Sequence, residues 1–302
     1  RGLFSVDQIE GCVPMKVTIS VKPDLSASTC NVFSMDFQGD NIPDATSSGT
    51  TCNHLHTYSA PGTFKLKAYI GGIGADNVDE IEIKVREDIK PAFDVYSCNG
   101  SKVQVKILDK NYEQYYINFT ANTDNIDDDN FAYSLNMLRT FSYPSAGAKK
   151  ITVSGKYVNA LDKCSAQEQN FTAVAATTAA TIGGLEVTGS GSLKLDYTPA
   201  IQTQYRLDIA VDKTAPLQQI KTLYQTTPGS VSETLTGLDT EKSFYCLQLR
   251  TFDPCANQSS NQQTICSLKT TLGKQSGEMN LSWTTGVASS FPFKIEIGRA
   301  HV

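Results

Sequence analysis

The feature that most constrains this chain is a regular alternation of apolar and polar residues over short segments. It runs through "KVTISV", "FKLKAYI", "KVQVKI", "YRLDIAV" and "FYCLQLR". Because successive side chains of a strand point to opposite faces of a sheet, this period of two is typical of strands with one buried face. Turn segments such as "SAPG" and "TTPGS" separate the strands, and no helical periodicity extends beyond a turn or two. The pattern predicts an all-β chain of sandwich domains.

A second regularity is a long internal repeat. "FSMDFQGD" and "HTYSAPGTFKLKAY" in the first ninety residues correspond to "YYINF" and "FSYPSAGAKKITVSG" in the next ninety. Cys12 then corresponds to Cys98, Phe37 to Phe119 and Tyr58 to Tyr143, at separations of about 82 to 86 residues. A period of this length indicates tandem domains of immunoglobulin-like size rather than a solenoid of short repeats.

The residues of the first repeat resemble a known family. "MDFQGD" followed by "HTYSAPGTFKLKAY" resembles the PKD (polycystic-kidney-disease-type) β-sandwich, whose pattern is W-D-F-G-D-G, then H-x-Y, x-P-G and an alternating strand. Met35 stands where the family has Trp, and Gln38 intrudes before Gly39. In the second repeat Asn118 replaces the Asp and Phe141 replaces the His, so this copy resembles a degenerate member.

The pair His54 and His56 forms an H-x-H, which could be half of a metal site. In the PKD pattern the position of His56 is a structural one beside an aromatic strand. Phe141 occupies this position in the second repeat and cannot ligate a metal. The resemblance therefore implies no transition-metal site.

Residues 177–272 follow another pattern. "SLKLDYTP" and "TGLDTEKSFYCLQLRTFD" are similar to a fibronectin type III domain, with Tyr197 where that family has its strand-B Trp. The resemblance implies that Leu238 and Tyr245 belong to a tyrosine corner, in which the phenol returns to the upstream backbone. "NLSWTTG" repeats "KLDYTPA" and places Trp283 about 86 residues after Tyr197, so a second fibronectin-like copy begins there.

Four domains are predicted on this basis. They are a PKD-like sandwich (1–88), a degenerate PKD-like sandwich (89–176), a fibronectin type III-like sandwich (177–272) and the truncated start of a further one (273–302). The last six residues, "IGRAHV", correspond to a common DNA-sequencing adapter read through as protein. We therefore expect an artefactual tail on a fragment of a longer chain.

Eight cysteines and no C-x-x-C pair favour disulfides formed in an oxidising compartment. The predicted second domain has only Cys98 and Cys164, which makes them the first candidate pair. Cys30 and Cys52 lie nearly symmetrically about the "QGDN" turn and are a second candidate pair. Cys12 would then be left over, or would pair with a domain upstream. One pair is expected among the cysteines of the third domain, with the choice left open: Cys246, Cys255 and Cys266.

Two groups of residues are candidates for ligand binding. The acidic loop "DNIDDDN" offers hard oxygen ligands of the kind that calcium prefers, although its spacing is not that of an EF-hand. The segment "NYEQYY" could present tyrosines to a sugar or a protein partner. The alternatives are a solvated acidic loop and strand residues packed on one face of a sheet. The candidate residues are Asp124, Asp127, Asp128 and Asp129 for calcium, and Tyr112, Tyr115 and Tyr116 for the ligand face.

Composition excludes several classes of function. A net charge of −5 and a pI of 5.3 leave no basic surface for nucleic acid or anionic membranes. The sequence has no apolar run long enough to span a membrane and no phosphate-binding loop. No G-x-S-x-G surrounds any Ser, so we expect no enzymatic activity and no cofactor other than calcium.

The order of domains resembles the repeat region of large secreted bacterial surface proteins. These are of the gliding-motility-associated type, which carry a sorting domain for type IX secretion. The resemblance implies a non-enzymatic adhesive or spacer rod at the cell surface, whose partners are the neighbouring domains of its own chain and surface glycans or proteins. Two alternatives stay open: accessory carbohydrate- or protein-binding modules of a secreted hydrolase, and a calcium-rigidified adhesin.

Overall fold

The computed structural model describes residues 4–21, 30–49, 52–70, 78–134, 137–212, 215–275 and 278–285. Within these ranges the chain forms 24 strands and no helix, which confirms the predicted all-β architecture. The strands form several separate sheets, as expected for tandem immunoglobulin-like β-sandwiches. Residues 286–302, which include "IGRAHV", lie outside the described part.

The strands of residues 1–88 are β1 (Phe4–Val6), β2 (Glu10–Cys12), β3 (Met15–Val21), β4 (Cys30–Asp36), β5 (Ala45–Gly49), β6 (Asn53–Tyr58), β7 (Gly62–Ile70) and β8 (Val78–Arg86). Residues 89–176 contribute β9 (Phe93–Cys98), β10 (Lys102–Ile107), β11 (Gln114–Asn118), β12 (Asp129–Ala132), β13 (Leu138–Ser142), β14 (Gly147–Lys156) and β15 (Gln167–Ala173). From residue 177 onward follow β16 (Thr181–Gly189), β17 (Ser192–Thr198), β18 (Gln204–Val211), β19 (Gln218–Tyr224), β20 (Val231–Thr236), β21 (Tyr245–Asp253), β22 (Gln258–Cys266), β23 (Leu268–Gln275) and β24 (Glu278–Thr285).

The structure divides into two compact units. Unit 1 comprises Arg1–Asp94, Lys106–Leu138 and Lys149–Asn170, and unit 2 comprises Val95–Val105, Arg139–Ala148 and Phe171–Val302. The four-domain division predicted from the sequence is not tested by this partition and stays a prediction.

Unit 1 contains a three-stranded sheet, β1-β3-β6, and a five-stranded sheet, β2-β8-β7-β4-β5. Strand β2 runs parallel to β8, with Cys12 opposite Arg86, whereas β7 and β8 are antiparallel. The alternating apolar residues of these strands form one core, whose members include Val17, Ile19, Phe33, Met35, Leu66 and Ile83. Unit 1 also contains most of the sheet β12-β11-β14-β15.

The "MDFQGD" segment forms a turn organised by a buried carboxylate. Asp36 is completely buried, and its Oδ1 accepts the backbone N–H groups of Gln38, Gly39 and Asp40 at 3.2, 2.6 and 3.2 Å. Gly39 has φ +83°, and a Cβ there would lie 2.9 Å from the Lys65 backbone oxygen, so the position favours glycine. The turn therefore accommodates Gln38, the residue that this chain has in addition to the PKD pattern.

The His56 ring packs among aromatic side chains. It stacks on Phe37 with ring centroids 4.1 Å apart and meets the edge of Tyr58 at 4.5 Å. Burial lowers the pKa of His56 by penalising the charged imidazolium, and the Asp44 carboxylate partly opposes that shift. These contacts give His56 a packing role in the core of unit 1.

Unit 2 contains the sheets β16-β17-β20 and β19-β18-β21-β22, the hairpin β23-β24 and most of the sheet β13-β10-β9. Leu195, Tyr197, Leu207 and Leu249 belong to its core, so Tyr197 is buried where the fibronectin pattern has Trp. The predicted tyrosine corner is confirmed by the Tyr245 hydroxyl, which accepts the Asp239 backbone N–H at 2.8 Å.

Candidate functional site: two disulfide-linked junctions

Disulfides join residues that lie on opposite sides of the domain boundaries predicted from the sequence. Cys12 bonds to Cys164 within unit 1, across the predicted boundary at 88/89. Cys98 bonds to Cys255 within unit 2, across the predicted boundary at 176/177. We call the residues around these two bonds the first junction and the second junction.

The predicted Cys98–Cys164 pair is wrong. The cysteines bond to Cys255 and Cys12 instead, with Cα–Cα distances of 5.9 and 5.6 Å, inside the range that a disulfide spans. The prediction assumed that a disulfide closes within one sandwich, and it left Cys12 over. In the structure Cys12 is bonded, because the chain around Cys164 reaches the end of β2 in unit 1.

The other cysteines form local bonds or are only partly described. Cys246 bonds to Cys266, which lies directly opposite on the neighbouring strand β22. Cys52 is disulfide-bonded. The side chain of Cys30, its predicted partner, lies outside the described residues.

The first junction is held by an ion pair as well as by its disulfide. Arg86, at the end of β8, donates from Nε and Nη2 to Glu10 Oε1 at 2.9 and 2.7 Å. The hydrogen bond to Glu10 raises the pKa of Arg86, and the guanidinium carbon lies 5.5 Å from the Tyr157 ring centroid. The Gln8 Oε1 accepts the Leu161 backbone N–H at 2.7 Å. Residues from both sides of the predicted boundary at 88/89 are thus in direct contact.

The segment "REDIKPAF" (86–93), which spans the predicted boundary at 88/89, is also held by hydrogen bonds. Asp88 Oδ1 accepts the Ser165 backbone N–H at 2.8 Å, and Oδ2 accepts the Ser165 hydroxyl. The Tyr112 hydroxyl donates to the Ile89 carbonyl oxygen. The Tyr112 ring lies directly over Gly155, where an added Cβ would come within 2.0 to 2.4 Å of ring atoms. Only glycine therefore leaves room for this ring.

The second junction is built around a buried carboxylate. Asp253 is 5% exposed, and its Oδ2 accepts the Asn99 backbone N–H at 3.2 Å while Oδ1 accepts that of Cys255 at 3.0 Å. The Asn99 side-chain oxygen in turn accepts the Thr177 backbone N–H at 2.8 Å. These bonds tie the turn after β9 to residues 177 and 253.

An aromatic contact completes the second junction. The Tyr224 hydroxyl donates to the Val95 carbonyl oxygen at 2.9 Å, and its ring meets that of Tyr96 edge-on at 4.9 Å. The Ser97 backbone N–H donates to the Gln202 carbonyl oxygen at 2.6 Å. Strand β9 is thus joined to the following domain of the sequence prediction by side-chain and backbone bonds.

Each disulfide has a carboxylate beside it. An oxygen of Asp88 lies within 4.8 Å of both sulfurs of the Cys12–Cys164 bond, and an oxygen of Asp253 has the same relation to Cys98–Cys255. These are the two sets of converging Cys, His, Asp or Glu ligand atoms in the described ranges. Because sulfurs in a disulfide offer no thiolate, neither set is a metal centre in this oxidised form.

The acidic loop uses its carboxylates to hold its own backbone. Asp128 Oδ2 accepts the backbone N–H groups of Phe119 and Thr120 at 2.6 and 3.0 Å. Asp124 Oδ1 accepts the Ile126 backbone N–H, and Asp127 pairs with Lys163. Asp129 lies in β12. The four predicted calcium ligands are not among the converging sets of the described residues, so the calcium site stays a prediction without a geometric basis.

The predicted tyrosine ligand face is wrong for two of its three members. Tyr112 and Tyr115 are 2% and 0% exposed, because their rings pack in the interior beside β14 and their hydroxyls bond to Ile89 and Asp109. Burial is the main reason that the pKa of each is raised. Tyr116 alone is partly exposed, and the Lys163 Nζ lies 5.3 Å from its ring centroid.

A polar groove of about 520 Å³ lies beside Tyr116 in unit 1. We call it the β14 groove. Two ion pairs line it, Lys150 with Glu168 at 3.2 Å and Lys163 with Asp127 at 2.5 Å. Its uncharged polar lining consists of Asn118, Asn125, Thr152 and Ser154. The paired charges leave a surface rich in hydrogen-bond donors and acceptors.

Sequence reasoning missed both junction disulfides, although the sequence carried a signal for them. Cys12 and Cys98 occupy equivalent positions of the repeat. Equivalent cysteines are expected to make equivalent bonds. Pairing Cys98 with Cys164 breaks this expectation, because it leaves Cys12 without a corresponding bond. The spacing of Cys164 and Cys255, about 91 residues, is close to the same repeat length and completes the pattern.

The residues described by the structure include no helix long and apolar enough to cross a membrane. No protein-family model and no curated protein sequence matches the chain.

Solved structures that align with this chain include fibronectin type III domains. The FN1–FN3 domains of chicken CNTN1 align with 88% of this chain and 97% of their own, at 11% identity and a TM-score of 0.36. The fibronectin(III)-like modules of Clostridium thermocellum CbhA align with 55% of this chain and 92% of their own, at 10% identity and a TM-score of 0.36. Values this low assign neither a family nor a function.

Proposed function

We propose that this chain is a non-enzymatic repeat region of a large secreted cell-surface protein, in which it acts as a spacer or adhesion rod. The observation that carries the proposal is the pair of disulfides that join consecutive predicted sandwiches at residues 12/164 and 98/255. Disulfides of this kind persist in oxidising, extracytoplasmic compartments. Covalent links and hydrogen bonds at both junctions suit a chain that must hold its domains together outside the cell.

The finer assignment in this proposal is the PKD-type and fibronectin-type repeat region of a bacterial surface protein exported by type IX secretion. The buried Asp36 turn beside the aromatic group of Phe37, His56 and Tyr58 supports the PKD-like part. The tyrosine corner of Tyr245 supports the fibronectin-like part.

The test of location is limited protease treatment of intact source cells. We expect peptides from this region in the supernatant without cell lysis, and attachment to surfaces lost when the gene is deleted. Recovery only from the cytoplasm, with all cysteines as free thiols, would contradict the proposal.

The β14 groove favours a second candidate function, binding of a neutral saccharide as an accessory module. Sugars present hydroxyl groups that pair with mixed donors and acceptors, which the groove offers through its two ion pairs, its uncharged polar side chains and the Asp162 carboxylate. Affinity electrophoresis in neutral polysaccharides tests it. We expect retardation of the wild type that is reduced by Lys150→Ala with Glu168→Ala. The matched control removes the exposed pair Lys221 and Glu233 in unit 2 and should leave the retardation unchanged.

A further inference from the structure

The two junction disulfides are interleaved along the chain. The order of the four cysteines is Cys12, Cys98, Cys164 and Cys255, with the first bonded to the third and the second to the fourth. We propose that, when the chain is under tension, these bonds make residues 98–164 the only segment between Cys12 and Cys255 that carries the force. The biological relevance rests on the proposed role as a surface rod, while the force path itself follows from the covalent connections.

The force path is found by following the shortest covalent route from Cys12 to Cys255. The route crosses to Cys164, runs backward along the chain to Cys98 and crosses to Cys255. It contains about 66 residues, or about 24 nm at about 3.6 Å per extended residue, whereas the unbridged chain contains about 243 residues and reaches about 87 nm.

The segments on either side of residues 98–164 carry no force along this route. Residues 12–98 and residues 164–255 are parallel paths between the same two bridges, and at about 86 and about 91 residues both are longer than the backward path of about 66 residues. Most of the predicted first and third sandwiches could therefore lose their folds without lengthening the chain. The predicted second sandwich sets its extension.

The surroundings of both bonds protect this arrangement. Cys98 is 0% and Cys164 is 7% exposed, so one sulfur of each bond is buried in the folded state. The neighbouring Asp88 and Asp253 carboxylates repel an approaching thiolate, which is the species that attacks a disulfide. The bonds should therefore outlast exposure to mild thiols.

The experiment is single-molecule force spectroscopy of the full chain held by its two ends. We expect the final contour length of the oxidised chain to be about 64 nm shorter than that of the chain unfolded in TCEP, since about 177 residues are bypassed. If the disulfides closed within the predicted domains, with Cys98 bonded to Cys164, the difference would be about 40 nm or less. That result would overturn the proposal.

A double variant tests the interleaving directly. With the local bridge removed by Cys246→Ser and Cys266→Ser, the further change Cys98→Ser with Cys255→Ser leaves the Cys12–Cys164 bridge as the one shortcut to residue 255, so the route runs forward over residues 164–255 and lengthens by about 9 nm relative to the oxidised chain without the local bridge. An unchanged length would show that the second bridge carries no force. Because final contour length does not require the variant to be folded, loss of its fold leaves the readout intact. Cell-surface location is tested separately, so failure of either idea is recognised on its own.

Discussion

The first and second junctions use the same covalent device in different surroundings. Each has a disulfide, and Cys12 of the first bond corresponds to Cys98 of the second in the sequence repeat. In each, a carboxylate oxygen lies within 4.8 Å of both sulfurs. The first junction adds the exposed Arg86 paired with the buried Glu10, whereas the second adds the buried Asp253 and the Tyr224 contact. A disulfide requires two Cα atoms about 4.4 to 6.8 Å apart with their Cβ atoms facing each other, and it places no demand on the neighbouring side chains. Hydrogen-bond networks depend on each partner and have diverged.

The largest effect should come from removing either disulfide. Both bonds close loops of similar length, with sequence separations of 152 and 157. The chain-entropy account then predicts that each contributes about 5 kcal/mol. We expect Cys12→Ser with Cys164→Ser to lower the free energy of unfolding about as much as Cys98→Ser with Cys255→Ser. Urea titrations followed by circular dichroism measure both, and a difference above about 2 kcal/mol would show that local contacts dominate one junction.

The next effect concerns the ring of Tyr112 in the first junction. Gly155→Ala would place a methyl group 2.0 to 2.4 Å from that ring, so the ring or β14 must move. We expect a loss of about 3 kcal/mol and an earlier urea transition for unit 1. Gly184→Ala in unit 2 is the matched control, because a Cβ there meets nothing within 4 Å, and it should cost less than about 1 kcal/mol. Equal losses would mean that Tyr112 is free to leave its site.

The two carboxylates give a smaller but sharper comparison. Asp253→Asn replaces a buried acceptor of backbone N–H groups with an amide that has one oxygen, and we expect a cost of about 2 kcal/mol. Asp88 is less buried, so Asp88→Asn should cost under about 1 kcal/mol. Thermal melts of the two single variants give the order. The reverse order would show that burial is not what separates the junctions.

The smallest expected effect is a pH dependence at His56 in strand β6 of unit 1. Burial lowers its folded-state pKa below the usual 6.5, so its contribution is present above pH 6.5 and is lost as pH falls through the lowered pKa. Between pH 7.5 and 5, the melting temperature of His56→Phe should fall less than that of the wild type, by up to about 3 °C. Phe is the residue of the second repeat, where Phe141 meets Tyr143 edge-on at 5.0 Å. An equal fall in melting temperature for His56→Phe and the wild type would show that other groups cause the acid sensitivity.

Sequence reasoning predicted the local structure correctly because local structure is determined by short-range sequence patterns. The alternation in "KVTISV" predicted β3. The resemblance of "TGLDTEKSFY" to a fibronectin type III domain implied a tyrosine corner, and the Tyr245 hydroxyl bonds to the backbone six residues upstream. The structural role of His56 was implied by the PKD resemblance and by Phe141 at the same position of the second repeat. All of these depend on neighbours within one strand or one turn.

What sequence reasoning missed depends on distant partners. Nothing near Tyr112 shows that Gly155 lies beneath its ring, so a buried tyrosine was taken as a candidate surface one. The pairing of Cys98 was assigned by counting cysteines inside a predicted domain, although its partner lies 157 residues away. Only the repeat, which relates Cys12 to Cys98, carried information over that range.

The interleaved order of the junction cysteines also matters during synthesis and export. If the chain emerges from its amino end, Cys12 is available long before Cys164, and Cys98 appears between them. An oxidase that joined cysteines in order of arrival would link Cys12 to the wrong partner. The native bond of Cys12 then requires thiolate exchange after Cys164 has emerged, and that of Cys98 after Cys255 has emerged. Maturation of this protein should therefore depend on a disulfide isomerase as well as on an oxidase.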